Sequence, residues 1–480
     1  MKGDFSRDSF DRLHHYSRVL QQQGRVELDA DGNERQSIQL HQLRSLAADL
    51  IGPHGGPGTG FGIVDKLEGN ALKQDFIIGK GHYYVDGWLC ENDADVFYAV
   101  TENRTTQPWL PKPESLVAGK RYLAYLDVWE RHVTSAEVDS DAERNSPTAL
   151  REVALGGVDT TTRAQVVWQV KVSLGADLPV LPPDPVNAAN WAQWMKNHWA
   201  QWQGQWQSPL RGLLKAKAAQ PTEADASKPC VVSPQSRYRG LENQLYRIEI
   251  HRGGVADDKE PPTFVWSREN GSVLFPVERV DAHTVKLADG WRDARFGLAV
   301  GDVVELSDEN SVLGGAAGTL LRVTGVDLDT LTISFENGEL TNTVKATRHA
   351  VLRRWDHGHR KGDTDTRKAT DESRPNIAND LGLTITEGRW LIIEDGIVVW
   401  FAAAAVGEKQ RYRTGDHWLI PARTAIGDVL WPRGDAELQP PHGVEHHYAP
   451  LAIVTVAGNA DVSVVSTPAG RFKSLVELSA

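Results

Sequence analysis

The sequence predicts a mainly-β protein with a minor helical part: several antiparallel β-modules, an N-terminal helix and an inserted Trp-rich amphipathic helix. Three observations predict it. Runs rich in aromatic and β-branched residues alternate with period two over 82–90, 122–129, 165–172, 245–251 and 263–267. The pairs Asp86-Gly87 and Asp395-Gly396 sit between such runs, the signature of a two-residue hairpin. Helical periodicity is confined to two stretches, 34–51 and 190–206.

Taken in order, residues 1–60 read as an arm followed by a helix. The arm is extended and mixed in polarity, with too little apolar surface to fold alone, so it is expected to lie on a surface of its own chain or a neighbour. Phe5, Phe10, Tyr16, Val19 and Leu20 are its candidate interface residues. Over 34–51, Leu40, Leu43, Leu46, Ala47, Leu50 and Ile51 fall within about 140° of a helical wheel. Asp31 or Asn33 is placed to cap the helix, and Gly52-Pro53 stops it.

Residues 61–180 form a β-domain whose sheet 238–280 is expected to complete, with Asn270-Gly271 closing a further hairpin. Between them lies the helical insertion 181–237. Trp191, Trp194, Trp199, Trp202 and Trp206 share one face of it, and Pro209 ends the helix. That stripe packs as core by default; a subunit interface and ligand stacking are the sharper alternatives. The tail after it, with Lys215, Lys217 and Lys228, is basic and Ala-rich. Residues 281–350 carry short strands at the spacing of a small barrel, the last followed by Asn337-Gly338. Residues 351–480 form a C-terminal β-domain around the Asp395-Gly396 hairpin.

Composition bounds the function. With 480 residues the chain is expected to hold roughly three domains. A net charge of −12 disfavours nucleic acid and anionic membranes as main partners. No apolar run reaches the ~18 residues of a membrane span, and the polar opening does not read as a signal peptide. Two cysteines, Cys90 and Cys230, make no disulfide framework and are expected as free thiols in a reducing compartment.

Chemical motifs are sparse. The run His442-Gly443-Val444-Glu445-His446-His447 offers imidazoles, but its spacing matches no established metal site. Asp29-x-Asp31-x-Asn33 lacks the glycine and the final glutamate of a calcium loop. No G-x-S-x-G and no phosphate loop is present, and carboxylate pairs such as Asp139/Asp141 or Glu394/Asp395 read as surface. No catalytic residue, metal or cofactor is expected. The charged runs Asp127 to Arg131, Arg151-Glu152 and Asp159 to Arg163 are expected to pair internally as architecture.

The opening Met1-Lys2-Gly3-Asp4-Phe5-Ser6-Arg7-Asp8 with His15 to Glu34, and again Tyr122 to Val133, Arg151 to Val172, Tyr238 to His251 and Arg411 to Pro450, resembles a family of uncharacterised proteins found with phage-tail-like contractile injection machinery. A more distant likeness extends to phage tail-fibre and baseplate proteins. The chain departs from that pattern at Gly32, where an aromatic is common, and at Gln21, where Met is common. The resemblance implies a structural component, baseplate-associated or at the base of a fibre or spike, that docks through its N-terminal arm. It also implies contact with particle proteins and with other copies of the chain, most plausibly as a trimer, and synthesis in the cytoplasm before incorporation. Two other classes stand beside it: a carbohydrate-binding adhesin, which needs an exposed aromatic platform, and a polysaccharide-cleaving spike enzyme, which needs paired carboxylates in a groove.

Overall fold

Two-residue turns set much of the topology. At Asp86-Gly87 both residues have positive φ (48° and 81°), the type I′ geometry whose twist matches flanking strands. It joins Gly81–Val85 to Trp88–Asn92 in register. Asp395-Gly396 repeats this (46° and 83°) between Trp390–Ile392 and Ile397–Phe401. In the computed structural model the described residues are 1–99, 104–139, 146–147, 149–174, 180–182, 187–207, 211–218, 237–256, 258–291, 293–336, 340, 344, 348–358, 372–405, 408–434, 437–466 and 471–472. Lys228, Cys230, Asp141 and the Asn337-Gly338 turn lie outside them. The fold is mainly β, with many antiparallel sheets.

The chain forms two compact units, neither of them contiguous in sequence. The first comprises 1–8, 132–163 and 210–443; the second comprises 9–131, 164–209 and 444–480.

In the first unit, Leu383–Thr384, Thr263–Ser267, Gln244–Arg252, His417–Arg423 and Asp428–Val429 make one sheet. Leu214–Ala218, Ile397–Phe401, Trp390–Ile392 and Glu372–Ser373 make a second. Strand alternation sends Tyr246, Ile248 and Ile250 into a shared core with Phe264, Leu214, Val399 and Phe401. The same alternation turns Arg247 and Glu249 to the opposite face. A closed six-stranded barrel follows, ordered Leu274–Val280, Thr284–Leu287, Thr332–Phe335, Thr319–Asp327, Val303–Ser307 and Val351–Trp355. Val285, Leu306, Ile333 and Leu352 are fully buried inside it.

In the second unit, Arg163–Leu174, Arg121–Val133, His447–Val456 and Val462–Ser466 form a sheet. Arg471–Phe472, His54–Pro57, Gly81–Val85 and Trp88–Asn92 form another. Phe61, Tyr83, Cys90, Leu126, Trp168 and Val454 belong to one core. Cys90 is a free, buried thiol whose pKa is pushed up by burial.

Several expectations change. Residues 244–252 and 263–267 do not complete the sheet of 61–180; they pair with His417–Arg423 and with Leu383–Thr384 in the other unit. Strand propensity marks a strand, not its partner. Asn270-Gly271 does take positive φ (50° and 67°), but it leads from one sheet into the barrel, closing no hairpin. The barrel runs over 274–355, several residues beyond 281–350 at both ends. The expected C-terminal domain 351–480 is divided between the two units. The tail after the Trp helix holds the strand Leu214–Ala218, with Lys215 over the Trp400 ring at 4.6 Å and Lys217 over Trp390 at 4.2 Å. The N-terminal helix starts earlier, at Asp29, and its N-cap is Leu28, without a side-chain cap.

Candidate functional site

The N-terminal arm is split between the units. Met1–Asp8 belongs to the first, where it covers the polar face of Gln244–Arg252. Arg247 Nη1 donates to the Met1 carbonyl (3.1 Å), and Asn270 Nδ2 donates to the carbonyls of Met1 (3.2 Å) and Gly3 (3.0 Å). Lys2 Nζ pairs with Glu249 at 2.7 Å and lies 5.3 Å from the Trp355 ring centre. Burial alone would raise the Glu249 carboxyl, but Arg247 and Lys2 override it and hold it at about 2. The Phe5 ring meets His132 edge-on at 6.2 Å. Burial, followed by surrounding positive charges, lowers His132 to about 3, so it stands neutral.

From Ser9 onward the arm belongs to the second unit. Ser9 donates to Glu34 (2.7 Å), and Phe10 lies 5.9 Å from His41. Tyr16 is 57% exposed, Leu13, Leu20 and Val26 are exposed as well, and Val19 is half-buried.

The helix that follows, α1 (Asp29–Ile51), buries only Ala30 and Ile38 completely. Its inward edge is fixed by Arg44. That guanidinium lies 3.2 Å from the Trp88 ring centre and pairs with Glu130 at 3.1 Å. The backbone approaches so closely there that a Cβ on Gly87 would stand 2.0 Å from the Arg44 carbonyl. The leucine stripe turns outward: Leu40, Leu43, Leu46 and Leu50 are 39%, 64%, 56% and 77% exposed. Gln36, Gln39, Leu43, Leu46 and Leu50 repeat at spacings of three and four, which are the a and d positions of a heptad, and Leu40 stands at e. The seam itself carries no charge. Sequence periodicity identified the stripe; it could not say that none of the described residues covers it.

The inserted helix, α2 (Ala188–Trp206), does the reverse. Trp191, Trp194 and Trp202 are buried and form a cluster with Leu123 and Ile453 of the long strands, while Trp199 and Trp206 pack against it. Trp206 stacks on Tyr125 at 3.9 Å, and the indoles of Trp194 (2.7 Å) and Trp202 (3.2 Å) both donate to the Val180 carbonyl. The stripe is core on this geometry, and no open aromatic platform is left by it.

The histidine run divides among separate partners. His446 Nδ1 meets Asp127 Oδ1 at 2.7 Å, and Lys171 meets the other oxygen at 2.7 Å. Burial would raise the Asp127 carboxyl, yet the His446 hydrogen bond and the Lys171 charge hold it below its ordinary value. His447 pairs with Asp86 at 3.0 Å, and His442 lies 5.8 Å from His417. Among the described residues no three His, Cys, Asp or Glu side chains converge as metal ligands would.

The charged motifs find internal partners too: Glu130 with Arg44, Arg131 with Gln165 and Arg151 with Asp289. Glu394 accepts from Arg268 and from the Tyr246 hydroxyl (2.9 Å), and Asp139 accepts from the backbone of Leu150 and Arg151. The clasp of Arg247, Glu249 and Asn270 on the first three residues escaped sequence reading, since nothing in an alternating strand announces what will cover its polar face.

No helix among the described residues is long and apolar enough to cross a membrane. No curated protein and no solved structure matches the chain. A protein family does match, over 1–177 and 210–478, leaving out the stretch that carries α2. With all of the first unit and most of the second inside that match, the chain belongs to the family of unknown function DUF6519.

Proposed function

We propose that the protein is a structural assembly component that self-associates through α1 and the exposed part of its arm. One observation carries this reading: a heptad-spaced leucine seam is held on a well-anchored helix and faces solvent. Contiguous exposed apolar surface marks interaction sites in soluble proteins. The occupant proposed is the same helix from other copies, packed in parallel about a common axis. In that arrangement each leucine meets its own counterpart, Gln36 and Gln39 fix the register, and no like charges face one another along the seam. Leu40 widens the stripe to the a, d and e face typical of a bundle helix, which favours more than two strands. Three copies agree with the trimer implied by the resemblance to phage-tail-like particles, and that resemblance alone supports placement in such a particle, at a baseplate or fibre base.

Light scattering on the intact chain tests the reading. The expected result is a trimer that a Leu43→Glu/Leu46→Glu double substitution converts to monomer. Because these side chains are largely exposed, the thermal midpoint of the monomer should stay close to that of a wild-type sample diluted to dissociation. A wild-type protein that is monomeric at tens of micromolar, or an oligomer indifferent to both substitutions, overturns it.

A further inference from the structure

The first unit carries a pocket of about 750 Å3, open to solvent, that plays no part in the seam on α1. Its walls come from the N-terminal residues 2–5, the turn of helix after Thr134, the 156–162 segment and the barrel. The volume falls within the range of small-molecule sites.

The lining is polar yet electrically committed. Lys2 is paired with Glu249, Arg353 Nη1 donates to the Gly271 carbonyl, and Arg151 Nη1 pairs with Asp289 at 2.7 Å. Asp4 and Asp159 also line the wall. Lys2 and Arg151 thus have carboxylate partners, and the further carboxylates Asp4 and Asp159 outnumber the remaining cation Arg353, which disfavours an anionic guest.

Hydrogen-bonding capacity remains. Thr160, Thr161 and Thr162 stand in sequence on the rim. Thr161 Oγ1 accepts from Arg163 (2.6 Å), which leaves its hydroxyl proton to donate. Ser135 Oγ donates to Asp159 Oδ2 (3.3 Å), so the second carboxylate oxygen can accept from a guest. Trp291, held edge-on to Phe275 at 5.6 Å, adds an aromatic wall.

We propose that this cavity binds a neutral saccharide. Sugar hydroxyls both donate and accept, and so answer Asp159 and the threonines together, while a C–H face of the ring packs on Trp291. The site is distinct from the tryptophans of α2, which are spent on the core.

The intact chain is screened on an array of neutral and sialylated glycans, and hits are titrated calorimetrically. Binding of neutral glycans, weakened at least tenfold by Thr160→Val/Thr161→Val and retained by Leu43→Glu/Leu46→Glu, is the expected result. The threonine pair lies on an exposed rim, so its loss of binding reports on the site and not on the fold. No glycan bound, binding restricted to sialylated glycans, or affinity unchanged in the threonine double variant overturns the proposal.

Discussion

Single residues hold this fold in places where little else could substitute. Arg247 is fully enclosed, and at once pairs with Glu249, reaches Asn270 and anchors the Met1 carbonyl. Arg247→Met leaves Glu249 and Asn270 with fewer partners in a dry site, and should cost about 3–5 kcal/mol by urea unfolding. Gly87 answers two demands together: a left-handed φ of 81° and the absence of a Cβ against the Arg44 carbonyl. Gly87→Ala should therefore destabilise by more than about 1 kcal/mol and lower the thermal midpoint. The two demands differ in legibility. Asp86-Gly87 announced its turn in the sequence, because type I′ geometry restricts which residues fit. The approach of Arg44 was not readable, since it depends on where a helix lands.

At the scale of elements, the two helices show what amphipathicity does and does not encode. Both were legible as helices with an apolar face. α2 buries that face on the sheet through Leu123, Tyr125 and Ile453, whereas α1 keeps its leucines in solvent. The wheel was equally persuasive for each, because a hydrophobic stripe specifies burial without naming the partner. The energetic contrast is testable. Trp202→Ala removes a fully buried indole and its hydrogen bond, and should cost about 3–5 kcal/mol by denaturant titration. Leu50→Ala removes a side chain that is 77% exposed, and should shift the stability of the isolated chain by less than about 0.5 kcal/mol. The barrel was legible from its short strands and turns, since neighbours in sequence are mostly neighbours in space there. The grouping of the longer strands was not, because their partners lie hundreds of residues away.

At the scale of the whole molecule, buried histidines should make the first unit sensitive to acid. Burial lowers His132 to about 3 and His357 to about 4, and pushes His417 well below its ordinary value. An unfolded chain takes up a proton at each histidine below pH 6.5 while the folded chain stays neutral, so unfolding binds protons and stability falls as pH drops. Each histidine should contribute a slope of about 1.4 kcal/mol per pH unit between 6.5 and its folded value. Glu249 joins below its ordinary value near 4.5: its stabilisation is complete above that pH and lost as pH falls through about 2. Urea midpoints measured from pH 7 to 4 should decline steadily, and His132→Phe should flatten the decline.

The interleaving of the two units reaches beyond equilibrium. In the second unit, His447–Val456 lies between Arg121–Val133 and Val462–Ser466, so the sheet stays unfinished until residues 447–466 are made. At about 5–20 residues per second, the ribosome leaves Arg121–Val133 without that neighbour for tens of seconds. During that interval the nascent chain presents an unpaired strand edge of mostly apolar residues, a template for pairing with the wrong chain. On polysomes, where several unfinished copies lie side by side, correct pairing of that strand competes with this earlier and less specific encounter.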